Sequence, residues 1–326
     1  MTLLLVCLFT QLPPITLEVN EELKVYTSLK MEIAKDGTIL IATPFRLFHW
    51  SEEGELIRSL PPADFPPVQF LSTYLYDPQS HIYWLVDSRH KQSLFFDTEG
   101  GFLGRAQGPY RDLMAVGSRV FAVLGHKLDL WEEHLMLQRV GYRIHQDGVE
   151  VFHIGEAFAP LTAHQESYLF QFKRHWLIQE DYSKRFLVVD QITPYMRVFQ
   201  LPEREGEGSG LRDTNQRIYL DLPQRKQPDL QSDKRQTGSE KWAKLDTIVG
   251  FYPLKNHYLV AYTLPFNAGE EERVALQQVG RDGRIIGQRI EAQGQLVGVH
   301  ENLAYLYRNG RGGLPARIDR IPLTNR

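Results

Sequence analysis

The stretch LVDSRHKQSLFFDTEGGFLG, at residues 85–104, contains two apolar runs that are each followed by a polar turn. The first run ends at Asp87 and is followed by a basic turn, Ser88 to Lys91. The second run ends at Asp97 and leads into a turn that contains two glycines. Short apolar and aromatic runs bounded by Asp, Gly and polar residues are typical of antiparallel strands. The stretch therefore predicts a β-meander rather than a helix.

The same order of strands and turns recurs along the chain. Six copies can be aligned on their second strand, at residues 38–43, 81–87, 119–125, 175–181, 257–263 and 303–308. Repeats of roughly 40–50 residues, each with four short strands, are the signature of a β-propeller. Packing such sheets around an axis buries both faces of every sheet and leaves only short edges exposed. The repeats predict an all-β, six-bladed β-propeller with four-stranded antiparallel blades.

We expect residues 15–326 to form this single propeller, with a polar insertion near residues 203–244. The insertion contains one strand-like piece, residues 217–222, so it is either a loop with a hairpin or a degenerate seventh blade. The last repeat lacks a fourth strand. Residues 15–21 can supply this strand and close the ring.

Residues 1–14 contain an apolar run followed by two prolines, which is similar to the core of an export signal without its basic start. We expect an extracytoplasmic protein, periplasmic or secreted; a buried first strand and a cytoplasmic location are the alternative. No run reaches the roughly 18 apolar residues that span a bilayer, so we expect no membrane span. The single cysteine, Cys7, excludes an intrachain disulfide and a thiolate metal cluster.

The repeat at residues 85–104 resembles the NHL type of propeller repeat, in which each of two strands ends in Asp and a Gly turn follows. The matching positions are Asp87, His90, Phe96, Asp97, Gly101 and Phe102. The resemblance implies a six-bladed propeller without selecting a function. We expect Asp87, Asp97 and Asp181 to hold turns by accepting hydrogen bonds from backbone N–H groups.

Charged residues in the predicted turns differ between the two faces of the ring. We call the face with the turns between second and third strands the 2–3 face, and the opposite face the 3–4 face. The 2–3 face is predicted to be basic, through Arg46, Arg89, His90, Lys91, Lys127, Lys184, Arg185 and Arg311, with an acidic exception at residues 267–272. Glu52, Glu53, Glu99, Glu132, Glu133 and Asp190 are predicted to make the 3–4 face acidic. A basic face would bind an acidic protein, whereas the few aromatic residues beside it argue against nucleic acid.

Evidence for catalysis is sparse. His81, His175 and His257 are predicted at equivalent repeat positions, but such a ring of side chains is too wide for one ion. Propeller enzymes of the lactonase-like group resemble this fold and hold a divalent cation on the axis. Carboxylates in or near first strands, including Asp112, could coordinate Ca²⁺. Under this alternative the ligands are Glu32, Asp77, Glu166 and Asp246.

The sequence thus favours a non-catalytic binding or scaffold propeller, a protein-interaction subunit of an extracytoplasmic assembly that needs no cofactor. The rival interpretation is a metal-dependent, lactonase-like propeller hydrolase. A nucleophile elbow of the form G-x-S-x-G is absent from the sequence, which weakens the case for an enzyme.

Overall fold

The computed structural model describes residues 12–17, 30–108, 110–116, 119–129, 132–164, 175–180, 184–190, 195–201, 211–222, 248–264, 271–308 and 316–323. Within these ranges the regular secondary structure consists of β-strands alone, which form six four-stranded antiparallel sheets. The six-bladed propeller is therefore confirmed, and the seven-bladed alternative is wrong. A search of the same residues finds no helix that is long and apolar enough to cross a membrane.

The strands of each blade follow one another along the chain from the axis outward. Blade one contains β2 (Lys30–Ile33), β3 (Ile39–Ala42), β4 (Leu47–Trp50) and β5 (Leu56–Leu60). Blade two contains β6 (Leu71–Asp77), β7 (Ile82–Asp87), β8 (Gln92–Asp97) and β9 (Phe102–Gln107). Blade three contains β10 (Asp112–Val116), β11 (Arg119–Asp129), β12 (Glu132–His145) and β13 (Gly148–His164).

The remaining blades repeat this order. Blade four contains β14 (His175–Gln179), β15 (Arg185–Asp190), β16 (Tyr195–Gln200) and β17 (Arg212–Tyr219). Blade five contains β18 (Ile248–Pro253), β19 (Tyr258–Leu264), β20 (Arg273–Val279) and β21 (Ile290–Gln293). Blade six contains β22 (Gln295–His300), β23 (Leu303–Arg308), β24 (Arg317–Pro322) and, from the other end of the chain, β1 (Ile15–Thr16).

The hydrophobic core lies between the blades. Each pair of neighbouring blades shares one apolar cluster, and the cluster between blades two and three is representative. It contains Trp84 and Phe95 of blade two together with Ala122 and Val140 of blade three, all buried. The apolar residues that alternate along the strands thus cover both faces of each sheet, as the propeller geometry requires.

The ring is closed by β1, as the sequence predicts. Ile15 pairs with Ile318 and Thr16 with Arg317, so β1 forms the outer edge of blade six. Ile15 is buried in the cluster shared by blades six and one. Gly54 of blade one approaches this strand so closely that a Cβ atom there would lie 2.5 Å from the Thr16 carbonyl oxygen. The first strand therefore contacts two blades that are far apart along the chain.

Other blades make the same kind of contact. The turn between the third and fourth strands of a blade packs against the outer strand of the preceding blade. Examples are Arg58 of β5 with the Glu99 carbonyl, at 2.6 Å, and Gly104 of β9 beside Gly148. Gly283 packs in the same way against Tyr219 of β17. This overlap covers part of the outer edges of the sheets.

Blade four corrects the strand assignment made from sequence. Its innermost strand is β14, whereas the sequence predicts residues 175–181 as the second strand. The first half of the strand-like piece assigned to the insertion, residues 217–219, lies in β17, the outer strand of this blade. Residues 165–174, in front of β14, and most of the insertion lie outside the described residues.

Blade three differs from the prediction for another reason. Gly125 indicates a turn in the sequence, but β11 continues through it to Asp129 with an irregular register between Val123 and Gly125. Glycine is tolerated at such a bulge, where pairing changes without ending the strand. Residues 127–129, which would begin a third strand if Gly125 ended the second, therefore belong to β11, and residues 132–140 belong to β12.

We expect the closing strand to contribute substantially to stability. Replacing Ile15 with Ala removes buried apolar contacts between blades six and one, which costs about 2–5 kcal/mol for a buried residue of this size. The free energy of unfolding, measured in urea, should fall by this amount. Leu12→Ala is the matched control because Leu12 is 38% exposed; an equal loss in both variants would contradict the closing role.

Candidate functional site

Asp87 holds the basic turn of blade two. Its buried carboxylate accepts hydrogen bonds from the Arg89 N–H at 3.2 Å and the His90 N–H at 3.4 Å, and it lies 2.6 Å from His90 Nδ1. It also accepts from the N–H groups of Gln69 and Phe70, just before β6. The predicted turn-holding role of Asp87 is confirmed. Asp97 accepts from the Gly101 N–H at 2.7 Å, which confirms its role too, whereas Asp181 lies outside the described residues.

These bonds set the pKa of Asp87. Burial alone would raise the pKa, but hydrogen bonds from the His90 ring and from the N–H groups of Gln69, His90 and Phe70 together outweigh it. The pKa of Asp87 therefore lies below its ordinary value, and the carboxylate is ionised at neutral pH.

Two exposed phenylalanines lie beside this turn. Phe70 is 47% exposed, and its carbonyl accepts a hydrogen bond from the Ser88 N–H at 3.0 Å. Phe45 is 42% exposed in the 2–3 turn of blade one, and the Pro44 carbonyl of that turn accepts from the Leu71 N–H at 2.6 Å. We call this surface the aromatic–basic patch; it consists of Phe45, Phe70, Arg89, His90 and Lys91. The three basic residues of the patch are exposed.

The structure brings together four of the eight residues predicted for the basic face. Arg46, Arg89, His90 and Lys91 lie in the 2–3 turns of neighbouring blades one and two. Lys184 and Arg185 lie at the turn between the first and second strands of blade four, which is on the 3–4 face. Lys127 is inside β11 rather than in a turn, and Arg311 is outside the described residues.

The predicted separation of charge between the faces is therefore only partly right. Glu52, Glu53 and Glu99 are in the 3–4 turns of blades one and two, as predicted. Glu132, Glu133 and Asp190 are instead at the 2–3 ends of their strands, because the strand assignments in blades three and four were displaced. On the 2–3 face of blade five, Glu271 pairs with Arg308 at 2.7 Å. Among the described residues, the predicted basic turn residues that do lie on the 2–3 face are thus those of blades one and two.

The predicted equivalence of three histidines is wrong. His81 and His257 lie at turns between first and second strands, on the 3–4 face. His175 begins β14, the innermost strand of its blade, and pairs with Asp190. These residues consequently do not form a ring of equivalent positions.

The wall of the central channel carries a polar cluster from three neighbouring blades. Lys30 Nζ, on β2, donates to Thr73 Oγ1 on β6 and to Asp112 Oδ1 on β10, each at 2.5 Å. The Thr73 hydroxyl donates to Asp112 Oδ1 at 2.6 Å. We call these three residues the channel cluster.

Charge and burial compete at the two carboxyl groups near the channel cluster. Burial would raise the pKa of Asp112, but the charge of Lys30 and hydrogen bonds from Lys30, Thr73 and the Leu113 N–H outweigh it, so this pKa is lowered. For Glu32, also on β2, burial is the largest influence and raises the pKa, with Lys30 acting in the opposite direction. The pKa values of these two carboxyl groups are therefore shifted in opposite directions.

The four predicted metal ligands do not assemble among the described residues. Glu32 is on the channel wall, but Asp77 ends β6, where it accepts bonds from the Gln79 N–H, the Ser80 hydroxyl and Tyr142 of blade three. Glu166 and Asp246 lie outside the described residues. A search of the described residues finds no group of three or more His, Cys, Asp or Glu side chains that could hold a metal ion. Coordination of a cation by these four residues therefore stays a prediction, because only Glu32 and Asp77 are among the described residues.

A second polar cluster, between blades one and two, was not predicted from the sequence. His49 is 4% exposed, and its Nδ1 atom lies 2.5 Å from the Tyr83 hydroxyl. The Tyr76 ring stacks on Tyr83, with ring centroids 4.7 Å apart. Burial, with a smaller effect of Arg58, lowers the pKa of His49 to about 4, although Asp36 acts in the opposite direction. In the sequence His49 occupies an ordinary strand position, which gives no signal of this environment.

Solved structures of similar fold are found at low sequence identity. A member of the DUF4221 family from Bacteroides vulgatus has a TM-score of 0.54 at 11% identity, covering 95% of this chain and 96% of that chain. A candidate exported protein from Bacteroides fragilis has a TM-score of 0.51 at 9% identity, covering 96% and 95%. A gluconolactonase from Xanthomonas campestris has a TM-score of 0.46 at 13% identity, covering 96% and 98%. At these identities the likeness shows the fold alone, and the gluconolactonase carries no argument.

No model of a known protein family and no curated protein matches the sequence.

Asp87→Asn should reduce stability in a pH-dependent way. Because the pKa of Asp87 is lowered by folding, its stabilising effect is present above pH 3.8 and is lost as the pH falls through the folded value. We expect a loss of about 1–3 kcal/mol at pH 7 that narrows below pH 4, measured by urea unfolding. Asp97→Asn is the control, since Asp97 is only partly buried; equal losses at pH 7 would contradict the role of Asp87.

His49 should destabilise the fold in acid. Its folded pKa of about 4 lies below the ordinary 6.5, so the unfolded chain takes up a proton first as the pH falls between these values. The resulting loss of about 2–3 kcal/mol should disappear in His49→Phe/Tyr83→Phe, which removes both polar partners. Urea unfolding at pH 7 and pH 4.5 measures it; the same pH slope in both proteins would rule out His49 as its source.

Proposed function

We propose that this protein is a non-catalytic binding platform that holds an acidic protein partner on the 2–3 face of blades one and two. The observation that carries the proposal is the aromatic–basic patch, in which Phe45 and Phe70 are exposed beside Arg89, His90 and Lys91. A protein-interaction subunit of a larger assembly needs such a surface.

The composition of the patch suits protein recognition. Aromatic and arginine side chains are enriched among the residues that carry most of the binding energy in protein interfaces. The three basic groups would attract an acidic surface from a distance, and the phenylalanines would supply apolar contact after docking. We therefore propose a partner that presents carboxylates around an apolar side chain.

The rigidity of the patch supports the same proposal. The Asp87 carboxylate accepts hydrogen bonds from the N–H groups of residues 69 and 70 and so joins them to the basic turn, and the Pro44–Leu71 bond joins this segment to blade one. A surface that is already ordered loses less conformational entropy on binding than a mobile loop. The hydrogen bonds of Asp87 and the Pro44–Leu71 bond thus order the patch before a partner binds.

Two further predictions accompany this proposal. The first is that the repeats are of the NHL type, which is supported by the sequence of blade two, the blade that carries most of the patch. The second is an extracytoplasmic location, which is supported by the apolar run at residues 3–9. No observation on the described residues favours the lactonase-like hydrolase, and Ca²⁺ binding stays a prediction of that alternative.

Charge reversal tests the patch directly. The probe is a short, fluorescein-labelled peptide of alternating aspartate and leucine, with binding followed by fluorescence anisotropy. Arg89→Glu/Lys91→Glu should raise Kd at least about tenfold, which corresponds to roughly 1.4 kcal/mol. Phe45→Ala/Phe70→Ala should also weaken binding, without changing its dependence on salt, because it leaves the charges in place.

The chain offers a matched control on the opposite face. Lys184 and Lys255 are both exposed there, so Lys184→Glu/Lys255→Glu makes the same change in net charge. We expect Kd for the probe to stay within about twofold of the unchanged protein. Equal weakening by both charge reversals would show that the probe senses net charge alone, and the proposed patch would be wrong.

A further inference from the structure

We propose that the channel wall of blades one to three is a cation site that the chain fills with its own Lys30 ammonium group, so that this wall takes no divalent metal ion. This inference is independent of the proposed partner surface. It starts from the channel cluster, whose three members come from the innermost strands β2, β6 and β10.

The ammonium nitrogen occupies the position that a bound cation would take. Lys30 Nζ lies 2.5 Å from both Thr73 Oγ1 and Asp112 Oδ1. Hydroxyl and carboxylate oxygens are also among the ligands that Ca²⁺ takes in proteins. The Lys30 ammonium is also 5.2 Å from the centroid of the Tyr74 ring, whose π face attracts a positive charge. A hydroxyl, a carboxylate and an aromatic face thus surround one positive group.

The oxygen atoms are arranged around this group by their own bonds. The buried Thr73 hydroxyl donates to Asp112 Oδ1 and accepts from the Leu113 N–H at 3.3 Å. Asp112 Oδ1 also accepts from the Leu113 N–H, at 2.9 Å. These bonds direct oxygen lone pairs toward Lys30 and leave the site without a counter-ion when the ammonium is removed.

The site is open enough for a free cation to reach it. The side chains of Lys30 and Asp112 are 33% and 37% exposed. A second cation beside Lys30 would be repelled by a like charge at close range, an effect that is stronger near a protein interior than in water. Lys30 therefore excludes a divalent ion from this wall, and its removal should expose a vacant anionic site.

Lys30→Ala is the principal test, with thermal unfolding as the measurement. The variant lacks a propylammonium unit, so its Tm should fall by roughly 4 °C or more as Asp112 loses its partner. Millimolar n-propylammonium chloride should restore part of the loss, and CaCl₂ should also raise the Tm. Sodium chloride at matched ionic strength should have no comparable effect. The unchanged protein should respond to none of these cations beyond the salt control.

Two further variants identify the source of the response. Lys30→Ala/Asp112→Asn should show no cation-dependent rise in Tm, because the carboxylate is gone. Lys30→Arg keeps the charge and should exclude cations like the unchanged protein. If Lys30→Ala does not fold, Lys30→Gln replaces it in the CaCl₂ measurement, because the Gln side chain removes the charge but leaves no space for n-propylammonium.

Two results would overturn the proposal. One is saturable Ca²⁺ binding by the unchanged protein, measured by calorimetry, that is lost in Asp112→Asn. The other is a folded Lys30 variant whose Tm equals that of the unchanged protein and does not respond to n-propylammonium or Ca²⁺.

Discussion

A propeller must close its ring so that every blade has two neighbours. Here closure depends on two residue pairs. Ile15 and Thr16 pair with Ile318 and Arg317, which joins the two ends of the chain in one sheet. Without this edge strand, the cluster between blades six and one loses Ile15, and β24 becomes an outer edge. Because β1 contacts both blade six and blade one, the positions of the turns in these two blades depend on this contact.

Much of the architecture could be predicted from sequence because strands and tight turns have local signals. Alternating apolar residues and Asp or Gly turns identify blade two almost completely, and Asp87 acts there as its position indicates. The end of the second strand of blade three was wrongly predicted at Gly125, because glycine occurs both in turns and in β-bulges. The strand that begins at His175 was assigned to the second position of its blade, because apolar and β-branched residues indicate a strand but not its distance from the axis. The channel cluster joins residues 82 positions apart, beyond any local pattern.

The candidate site was only partly predictable for a related reason. The basic turn of blade two is visible in sequence, but Phe70 belongs to a connection between blades and lacks any repeat signature. Its place beside Arg89 follows from hydrogen bonds that Asp87 makes across the blade. One buried carboxylate therefore links the strongest sequence signal to the proposed surface. The opposite location of Lys184 follows equally from the strand order of blade four.

The overlap of each 3–4 turn with the preceding blade gives the ring a rotational sense, because each such turn contacts the blade before it in the ring. At the seams represented by Glu99, Gly148 and Gly283, the overlapped strand is continuous in sequence with its own blade. At Gly54 the overlapped strand is β1, which joins blade six by strand pairing and packing and is not continuous in sequence with the rest of that blade. One short strand therefore completes blade six and supports blade one. Its release would loosen the ring on both sides of this contact at once.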